Sequence, residues 1–570
     1  MLFGLLPLII LGGIIALIVR VVGNRGDAAP EAGSIAVRRF FQYALLYAVV
    51  IVVAIGATGL LAELIPGEEL LRRGTDRNAR SLAFLVIGAP VLYGLVRWAR
   101  TGLEEEDERR SLAWALYVGT TALTGLITGA VGLYQVSESL LGISDFDSAS
   151  LARFIVWGAV WWVHFRIVSR HNHAGRLRLH LVGGSFLGLL TIAIAAGGLI
   201  TAALTSLLDR LVGTTTISGG GGDLVAQASI TLAIGVAIWA QYWLITYSRL
   251  NRDGLWHGYA LLAGVLGGLV TLLVGTIMLL FFVLDWFFGG SAGSATDHFQ
   301  NTPGTLATIA VGFGIWAYHR AVLRAGEPSA RSETERVYEY LVAAVGLLAA
   351  AGGVTTILVA LIEALLPNFL SNSSSDEALL AAVAILVVSV PVWWRTWTNI
   401  QQLRAANPSQ ELTSPSRRIY ILALFGLGGV TALIALLTLA VTMIEDLFSG
   451  DFGARTVHSI RVSLALVVTV GAVAAYHWAI RKEDQVDTPA EEAVEHEVRM
   501  VVLVSANGRE VADEVTTQTG VRVRVWDRPD TESTASVESV VAAIAAGTHP
   551  RLLLIADDDG LRALPYTERT

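Results

Sequence analysis

The 570-residue sequence contains no cysteine and little charge. Without Cys the chain can form no disulfide, offers no thiolate nucleophile and cannot hold an iron–sulfur cluster or a Cys-ligated zinc ion. Lys482 is the only lysine, so the apolar region before it has no amine for a Schiff base. Charged residues make up 15% of the chain and hydrophobic residues 54%, whereas soluble proteins carry about 25% charged residues. This composition predicts a membrane protein.

What the sequence does contain is an internal period. Four tryptophans lie at a constant spacing of 77 residues, each four residues after a Gly or Ser: Trp162, Trp239, Trp316 and Trp393. Weaker copies of the same element, GAPVLY at 88–93 and GAVAAY at 471–476, bring the count to six. Such a period predicts a tandem repeat, with these tryptophans as its structural signature.

Each repeat has the pattern of two helices. A long apolar segment ends on a carboxylate, a polar loop follows, and a shorter apolar segment carries the tryptophan. The predicted repeats are 38–100, 109–170, 176–250, 254–325, 336–404 and 417–482. Residues 2–22 are a further apolar run of about the ~20 residues that a spanning helix needs, and we interpret 1–37 as an uncleaved anchor helix with a cytoplasmic linker. The expected fold is an all-α polytopic membrane protein with about thirteen transmembrane helices.

The distribution of basic residues predicts an orientation. Two helices per repeat mean that every repeat enters the membrane from the same side. The loops that would then be cytoplasmic hold 25 Lys or Arg, against 8 in the outer loops. This bias predicts an outer N-terminus and a cytoplasmic C-terminus in the cell membrane.

Paired glycines interrupt several of the first helices. They lie at 197–198, 267–268, 352–353 and 428–429. Small residues let helix backbones approach closely in lipid, so we expect contacts between neighbouring repeats, with a helix kink as the alternative.

The composition changes after Lys482. Residues 483–497 have the pattern of an acidic linker, and 498–570 predict a small cytoplasmic α/β domain with the order β-α-β-α-β, in three layers and mostly parallel. Neither a GxGxxG nor a GxxxxGK[ST] motif is present, so no nucleotide site is indicated. The acidic run 557–559 could hold Mg²⁺ or form a solvated turn before the tail.

Six acidic residues recur where the first helices end, and they are the first candidate site: Glu63, Glu138, Asp209, Asp285, Glu363 and Glu445. They could form an outer ring that attracts cations to a central pathway. Alternatively they mark the water boundary, an interpretation favoured by the polar loop that follows each of them.

Three histidines at similar places in the second helices are the next candidate: His164, His319 and His477. Histidines on facing helices can hold haem or relay protons. The other repeats carry Gly94, Gln241 and Arg395 there, however, and the many nearby Trp and Tyr residues indicate an interfacial aromatic belt instead. We therefore assign no catalytic, cofactor-binding or metal-binding residue and expect no cofactor.

The openings of three repeats, RRFFQY (38–43), RVYEYL (336–341) and RRIYIL (417–422), with their partner helices, resemble a family of bacterial integral membrane proteins that carry domain of unknown function 5671. The resemblance would extend over about 38–482. It implies a membrane fold but no activity.

The helix interiors hold almost no charge, whereas a transport path usually requires ionisable groups. The sequence therefore favours a non-enzymatic scaffold or sensor in the lipid bilayer, with a cytoplasmic protein partner for 498–570 and no nucleic-acid partner. The alternative is a channel or transporter with a pathway between the six repeats.

Overall fold

Most of the chain before residue 488 is helical. The computed structural model describes residues 30–66, 75–109, 111–170, 178–212, 221–289, 293–325, 332–365, 373–487, 498, 500–526, 533–547, 549–557 and 560–566. Twelve long helices form consecutive pairs, here called hairpins 1 to 6. They are α1 (Pro30–Leu64), α2 (Thr75–Gly102), α3 (Leu112–Leu140), α4 (Ser148–Arg170), α5 (Leu179–Val212), α6 (Gly221–Trp239, extended to Arg249), α7 (Gly254–Phe288), α8 (Thr302–Arg324), α9 (Glu333–Ala364), α10 (Ser373–Ala406), α11 (Pro415–Ser449) and α12 (Ala454–Asp487). Short helices lie at Glu106–Arg109, Ala295–His298 and Pro408–Thr413.

Polar residues cap several of the first helices. Ser111 accepts a hydrogen bond from Trp114 N at the start of α3, and Ser332 accepts one from Glu335 N at the start of α9. At the start of α7, Asp253 accepts from Trp256 N. A side-chain oxygen at this position satisfies a backbone N–H that has no partner inside the helix. The first helices therefore begin at defined residues.

Eleven of the twelve helices are long and apolar enough to cross a membrane, counting only residues that the structure describes. The remaining helix, α4, has 23 residues, among them Arg153, Arg166 and Arg170. The protein is thus a polytopic membrane protein with mostly helical structure, as the sequence predicted. The predicted anchor 2–22 lies outside the described residues. The linker predicted to follow it is shorter than expected, because α1 already begins at Pro30.

One packing rule relates neighbouring hairpins. The second helix of a hairpin contacts its own first helix and also the first helix of the preceding hairpin. Thus α4 packs on α1 and α3, α6 on α3 and α5, and α8 on α5 and α7. Val388 and Val392 of α10 pack against a buried cluster formed by Leu269 and Leu273 of α7 and Val342 of α9. Each hairpin is therefore joined to the next along the chain.

Within the hairpins, a glycine of the first helix lies against the backbone of a tryptophan in the second. A Cβ added to each glycine would come within 3 Å of that tryptophan's backbone nitrogen. The pairs are Gly125 with Trp161 (2.7 Å), Gly188 with Trp239 (2.6 Å), Gly268 with Trp316 (2.5 Å) and Gly346 with Trp393 (2.9 Å). Only glycine permits such a close approach of two helix backbones.

The paired glycines do not pack between neighbouring hairpins, and that expectation was wrong. One member of each pair faces the partner helix of its own hairpin: Gly198 with Ala228, Gly268 with Trp316, Gly353 with Leu386 and Gly428 with Ala474. The other member meets no neighbouring helix within 4 Å. A glycine pair therefore supplies one contact position, and the helix continues through it.

The C-terminal domain is built on a four-stranded sheet in the order β2-β1-β3-β4. Its elements are β1 (Met500–Val504), α13 (Gly508–Thr519), β2 (Arg522–Val525), α14 (Val537–Ala546), β3 (Arg551–Asp557) and β4 (Gly560–Pro565). Strand β1 pairs in parallel with β2 and β3, whereas β4 pairs antiparallel with β3. The α/β fold is as predicted, but the last strand was missed.

The expected three-layer arrangement of this domain was also wrong. Val501 and Leu503 of β1 lie on the same face as Leu552 and Leu554 of β3, with which they pair. These side chains form one buried cluster with Val511 and Val515 of α13 and with Val540 and Ile544 of α14. Both helices therefore pack on one face of the sheet.

The boundary between the two compact units differs from the predicted one. The first unit extends to Gln401 and includes Leu422–Ala474, and the second combines Gln402–Ile421 with Ala475–Thr570. Helix α12 continues to Asp487, so the first residues of the predicted linker 483–497 are helical. In the second unit, the fully buried Arg417 donates from Nε and Nη2 to Asp484 at 2.8 and 2.9 Å. The carboxylate of Asp484 therefore anchors the helix end instead of solvating a linker.

Candidate functional site

The six repeated acidic residues lie in the last two turns of the first helices α1, α3, α5, α7, α9 and α11. Two of them bind the second helix of the following hairpin. Glu138 of α3 accepts a hydrogen bond from Gln227 Nε2 of α6 at 2.7 Å and another from Tyr134 OH at 2.9 Å. Glu363 of α9 accepts from Arg461 Nε of α12 at 2.6 Å. These carboxylates join neighbouring hairpins laterally.

The other acidic residues have different surroundings. Asp285 lies 3.9 Å from His298 Nδ1, and His298 donates from Nε2 to the Phe282 carbonyl oxygen at 2.9 Å. Glu63 and Asp209 are half-buried, whereas Glu445 is exposed. Glu445 belongs to hairpin 6, after which no further hairpin follows in the described chain. Its exposure is what the packing rule predicts, because the second helix that would contact it is missing.

A polar side chain near the end of α3 is satisfied within hairpin 2. Gln135 Oε1 accepts from Ser150 Oγ at 3.0 Å and also from Arg153. Both donors lie on α4. These hydrogen bonds between α3 and α4 stabilise the hairpin, and they give the Gln135 amide oxygen two partners.

At the opposite ends of the helices, aromatic side chains link successive hairpins. Trp161 Nε1 of hairpin 2 donates to Tyr242 OH of hairpin 3 at 2.9 Å. From hairpin 3, two indole nitrogens donate to hairpin 4: Trp239 to Tyr259 OH and Trp243 to Tyr318 OH, each at 3.0 Å. We call these three bonds the Trp–Tyr ladder. Such rings add large contact areas to each polar bond, so they hold the hairpins in register.

In hairpin 2 the tryptophan that packs against the first helix is not the one that the 77-residue spacing predicted. Trp239, Trp316 and Trp393 lie against a glycine of their own hairpin, but in hairpin 2 this place is taken by Trp161. Trp162, which has the constant spacing, is 51% exposed. The guanidinium carbon of Arg166 lies 4.8 Å from its ring centroid.

Trp243 is the centre of the largest buried cluster. Its side chain is fully buried, and its ring centroid lies 4.6 Å from that of Tyr259, 5.6 Å from Trp256 and 5.8 Å from His319. The backbone here is π-helical at Ala240–Thr246 and at Tyr259–Leu266. The wider turns place these bulky rings between hairpins 3 and 4.

The three repeated histidines are buried in separate aromatic surroundings. His164 Nε2 forms a hydrogen bond of 3.1 Å with Tyr117 OH, inside hairpin 2. His319 packs against Trp243 and Tyr318, and His477 against Tyr420 and Tyr476. Within the described ranges, no group of three His, Asp or Glu residues is arranged to hold a metal ion. The aromatic contacts account for the buried positions of all three.

The loops at the carboxyl ends of the C-terminal strands make structural contacts. The Asn507 side chain donates to the Ala535 carbonyl oxygen and accepts from Ala535 N, each at 2.9 Å. Asp557 pairs with Gly560, whose φ of 116° favours glycine, and the chain continues into β4. Residues 558–559 of the acidic run lie outside the described residues. The run leads into a β-hairpin and not into a tail.

The family model for a domain of unknown function, DUF5671, matches residues 39–147 and 336–474. Both segments are similar to that domain. This confirms the resemblance found in the sequence, with narrower coverage than the expected 38–482. The two DUF5671 segments contain hairpin 1 with α3, and hairpin 5 with α11 and most of α12. No curated protein and no solved structure matches the chain.

The DUF5671 segments contain Glu138 and the complete Glu363–Arg461 pair, whereas the Trp–Tyr ladder lies outside them. Sequence reasoning identified the carboxylates but missed Gln227, Arg461 and Trp161. Arg461 could have been noticed because it is one of only two Arg or Lys residues in 449–461, next to the apolar segment of α12. Nothing in the sequence distinguishes Trp161 in this way, because the adjacent Trp162 is the residue that has the 77-residue spacing.

Proposed function

We propose that the protein is a non-enzymatic membrane scaffold: a tandem array of six hairpins that carries the C-terminal α/β domain on its cytoplasmic side. The observation that supports this most directly is the pairing of Glu363 with Arg461. Two opposite charges 2.6 Å apart, each side chain 22–23% exposed, neutralise one another in place of attracting mobile ions.

The Trp–Tyr ladder supports the same role at the other helix ends. Its hydrogen bonds join hairpins 2, 3 and 4 through side chains that are large and largely buried. With lateral bonds at both ends of the helices, neighbouring hairpins resist sliding and rotation. Rigid spacing of elements is what a scaffold requires.

The scaffold and channel interpretations differ in what a neutralised carboxylate should do. Glu363→Gln removes the charge that holds Arg461, and we expect it to destabilise the purified protein by about 1–3 kcal/mol. Glu445→Gln is the matched control, since Glu445 is the exposed equivalent in hairpin 6. It should leave stability unchanged.

Ion flux in proteoliposomes completes the test. We expect no cation flux above that of protein-free vesicles for the wild type or for a variant with Glu138, Asp209, Asp285 and Glu363 all neutralised. A wild-type flux that this variant abolishes would refute the scaffold proposal and establish a pathway past the acidic residues.

We further propose that the C-terminal domain contacts a cytoplasmic protein through the edge of β2. Arg522 and Arg524 are exposed on this edge strand, and Trp526 directly after it is 53% exposed. Trp and Arg side chains carry much of the binding energy in protein interfaces. A photo-crosslinking residue in place of Trp526 should form one defined adduct in cells, while the same residue at the exposed Thr517 of α13 should form none. Equal adducts, or no adduct, at both positions would refute this surface.

A further inference from the structure

Hairpin 2 departs from the register of its neighbours. In hairpins 3 and 4 the glycine four residues before the signature tryptophan faces its own first helix. A Cβ on Gly235 would lie 3.0 Å from Ile192 N, and one on Gly312 would lie 2.4 Å from Leu272 N. In hairpin 2 a Cβ on the equivalent Gly158 would meet nothing within 4 Å.

The one-residue offset of the tryptophan explains this difference. Because Trp161 lies against Gly125, the residue four positions before it, Trp157, is the one turned towards α3, and Trp157 is only 5% exposed. One residue along an α-helix corresponds to a rotation of about 100°. The Cβ direction of Gly158 therefore points into open space and leaves an uncovered surface on α4, although the backbone nitrogen of Gly158 lies 3.2 Å from where a Cβ on Gly129 of α3 would be.

This surface forms part of a groove between α3, α4 and α6 with a volume of about 170 Å³. Apolar side chains dominate its lining, among them Leu126, Leu133, Phe154 and Ile238, and Gln241 lies at its edge. An apolar cavity of about 150 Å³ stays dry and binds a hydrocarbon such as benzene. The groove therefore fits a hydrocarbon chain, but not an α-helix of about 10 Å diameter.

A cation lies on the same side of α4 as the groove. Gly158, Trp162 and Arg166 follow at intervals of four residues and so share one face of the helix. The exposed Trp162 ring stacks under the Arg166 guanidinium at 4.8 Å, and no carboxylate pairs with Arg166 in the part of the chain that the structure describes. Eight residues of helix place Arg166 about 12 Å from Gly158 along the axis.

We propose that this groove binds one acyl chain of an anionic phospholipid, with the lipid phosphate at Arg166. The hydrocarbon occupies the space beside Gly158, the Trp162 ring lies at the level of the ester groups, and the guanidinium donates to phosphate oxygens. Interfacial Trp and a basic residue at the membrane boundary match this order of lipid groups. The groove adjoins the Trp–Tyr ladder, because Trp161 also lines it, but the lipid proposal does not depend on the scaffold proposal.

The test uses the full chain purified in detergent and titrated with a phosphatidylglycerol or a phosphatidylcholine, with bound lipid counted by native mass spectrometry. Gly158→Leu fills the groove at a position where the added side chain meets open space. Gly314→Leu is the matched control, because a Cβ on Gly314 of α8 also meets nothing within 4 Å. We expect Gly158→Leu to weaken the tightest phosphatidylglycerol site about tenfold or more, and Gly314→Leu to leave it unchanged.

A charge variant tests the headgroup contact. Arg166→Gln should weaken phosphatidylglycerol about fivefold while phosphatidylcholine is unaffected, and Arg455→Gln at the other end of the bundle should change neither. Equal lipid retention by Gly158→Leu and Gly314→Leu would overturn the proposal. A change in oligomeric mass with unchanged lipid binding would also overturn it, since the face of α4 around Gly158 would then be a contact between copies of the chain and not a lipid site.

Discussion

The close approach of helices α7 and α8 predicts opposite effects for two adjacent glycines. A Cβ on Gly268 would lie 2.5 Å from Trp316 N, 2.9 Å from its Cα and 3.0 Å from the Gly312 carbonyl oxygen. All three are backbone atoms and cannot turn aside. Gly267 is its neighbour, where the nearest atom to an added Cβ is the Leu262 carbonyl oxygen of the same helix at 3.6 Å.

The magnitude follows from these distances. Ordinary van der Waals contact of a Cβ begins at 3.4 Å, so Gly268→Ala must separate the two helices by almost 1 Å. A gap of 0.5–1 Å loses about a quarter to a half of the dispersion energy of each affected contact, and overpacking typically costs about 1–3 kcal/mol. Gly267→Ala has no such cost and improves helix propensity, which stabilises by about 0.5–1 kcal/mol.

The assay is equilibrium unfolding of the full chain in mixed micelles with increasing SDS, followed by tryptophan fluorescence. We expect Gly268→Ala to lower the free energy of unfolding and Gly267→Ala to raise it or leave it unchanged. A Gly268→Ala protein as stable as Gly267→Ala would refute the reasoning, because the helices would then not be in backbone contact at this position.

Three further predictions concern the Trp–Tyr ladder, the orientation of the chain in the membrane and the C-terminal end of helix α12. Trp243→Phe keeps an aromatic ring but removes the N–H that donates to Tyr318 OH, and thermal unfolding should show a free energy of unfolding lower by about 1 kcal/mol or more. An unchanged free energy of unfolding would show that this hydrogen bond does not stabilise the protein. Because the chain has no Cys, single cysteines report topology directly. A membrane-impermeant maleimide should label Ser449→Cys in intact cells and Gln410→Cys only after permeabilisation, and the reverse pattern would invert the proposed orientation. Arg417→Lys loses the two-pronged bond to Asp484, and hydrogen exchange at the end of α12 should rise at least fivefold; unchanged exchange would show that the pair does not hold this helix end.

The membrane helices could be predicted from sequence because the bilayer imposes a strong condition. A spanning segment must satisfy its backbone polar groups internally and needs about 20 apolar residues, so long apolar runs identify helices with little ambiguity. The constant spacing of the tryptophans then divided the helices into pairs. Both inferences depend on composition along the chain, and neither requires knowledge of helix rotation.

Helix rotation is what the sequence did not reveal. Trp161 and Trp162 are chemically identical neighbours, and only a rotation of about 100° decides which of them lies against Gly125. The glycine pairs present the same difficulty. They indicate a close approach correctly, but the partner helix depends on which glycine faces which neighbour.

Strand β4 was missed for a different reason. Its residues 560–565 are mostly exposed and end in a proline, so they lack the alternation of a half-buried strand. The usable signal was Asp559-Gly560, since Asp-Gly between extended segments is typical of a tight hairpin.

The exceptions to the packing rule are more informative about function than the rule itself. Where the hairpins pack regularly, carboxylates such as Glu363 have a partner in the next hairpin, and glycines such as Gly312 face the first helix of their own hairpin. Those positions are therefore occupied by structural contacts. The Cβ direction of Gly158 is uncovered because of the one-residue offset in hairpin 2, and Glu445 is uncovered because the described residues contain no hairpin after hairpin 6. Local departures from a consistent pattern are where functional sites are expected. The groove beside Gly158 has two further properties that Glu445 lacks, an apolar lining from three helices and a cation on the same face of α4, and these make it the better place to seek a ligand.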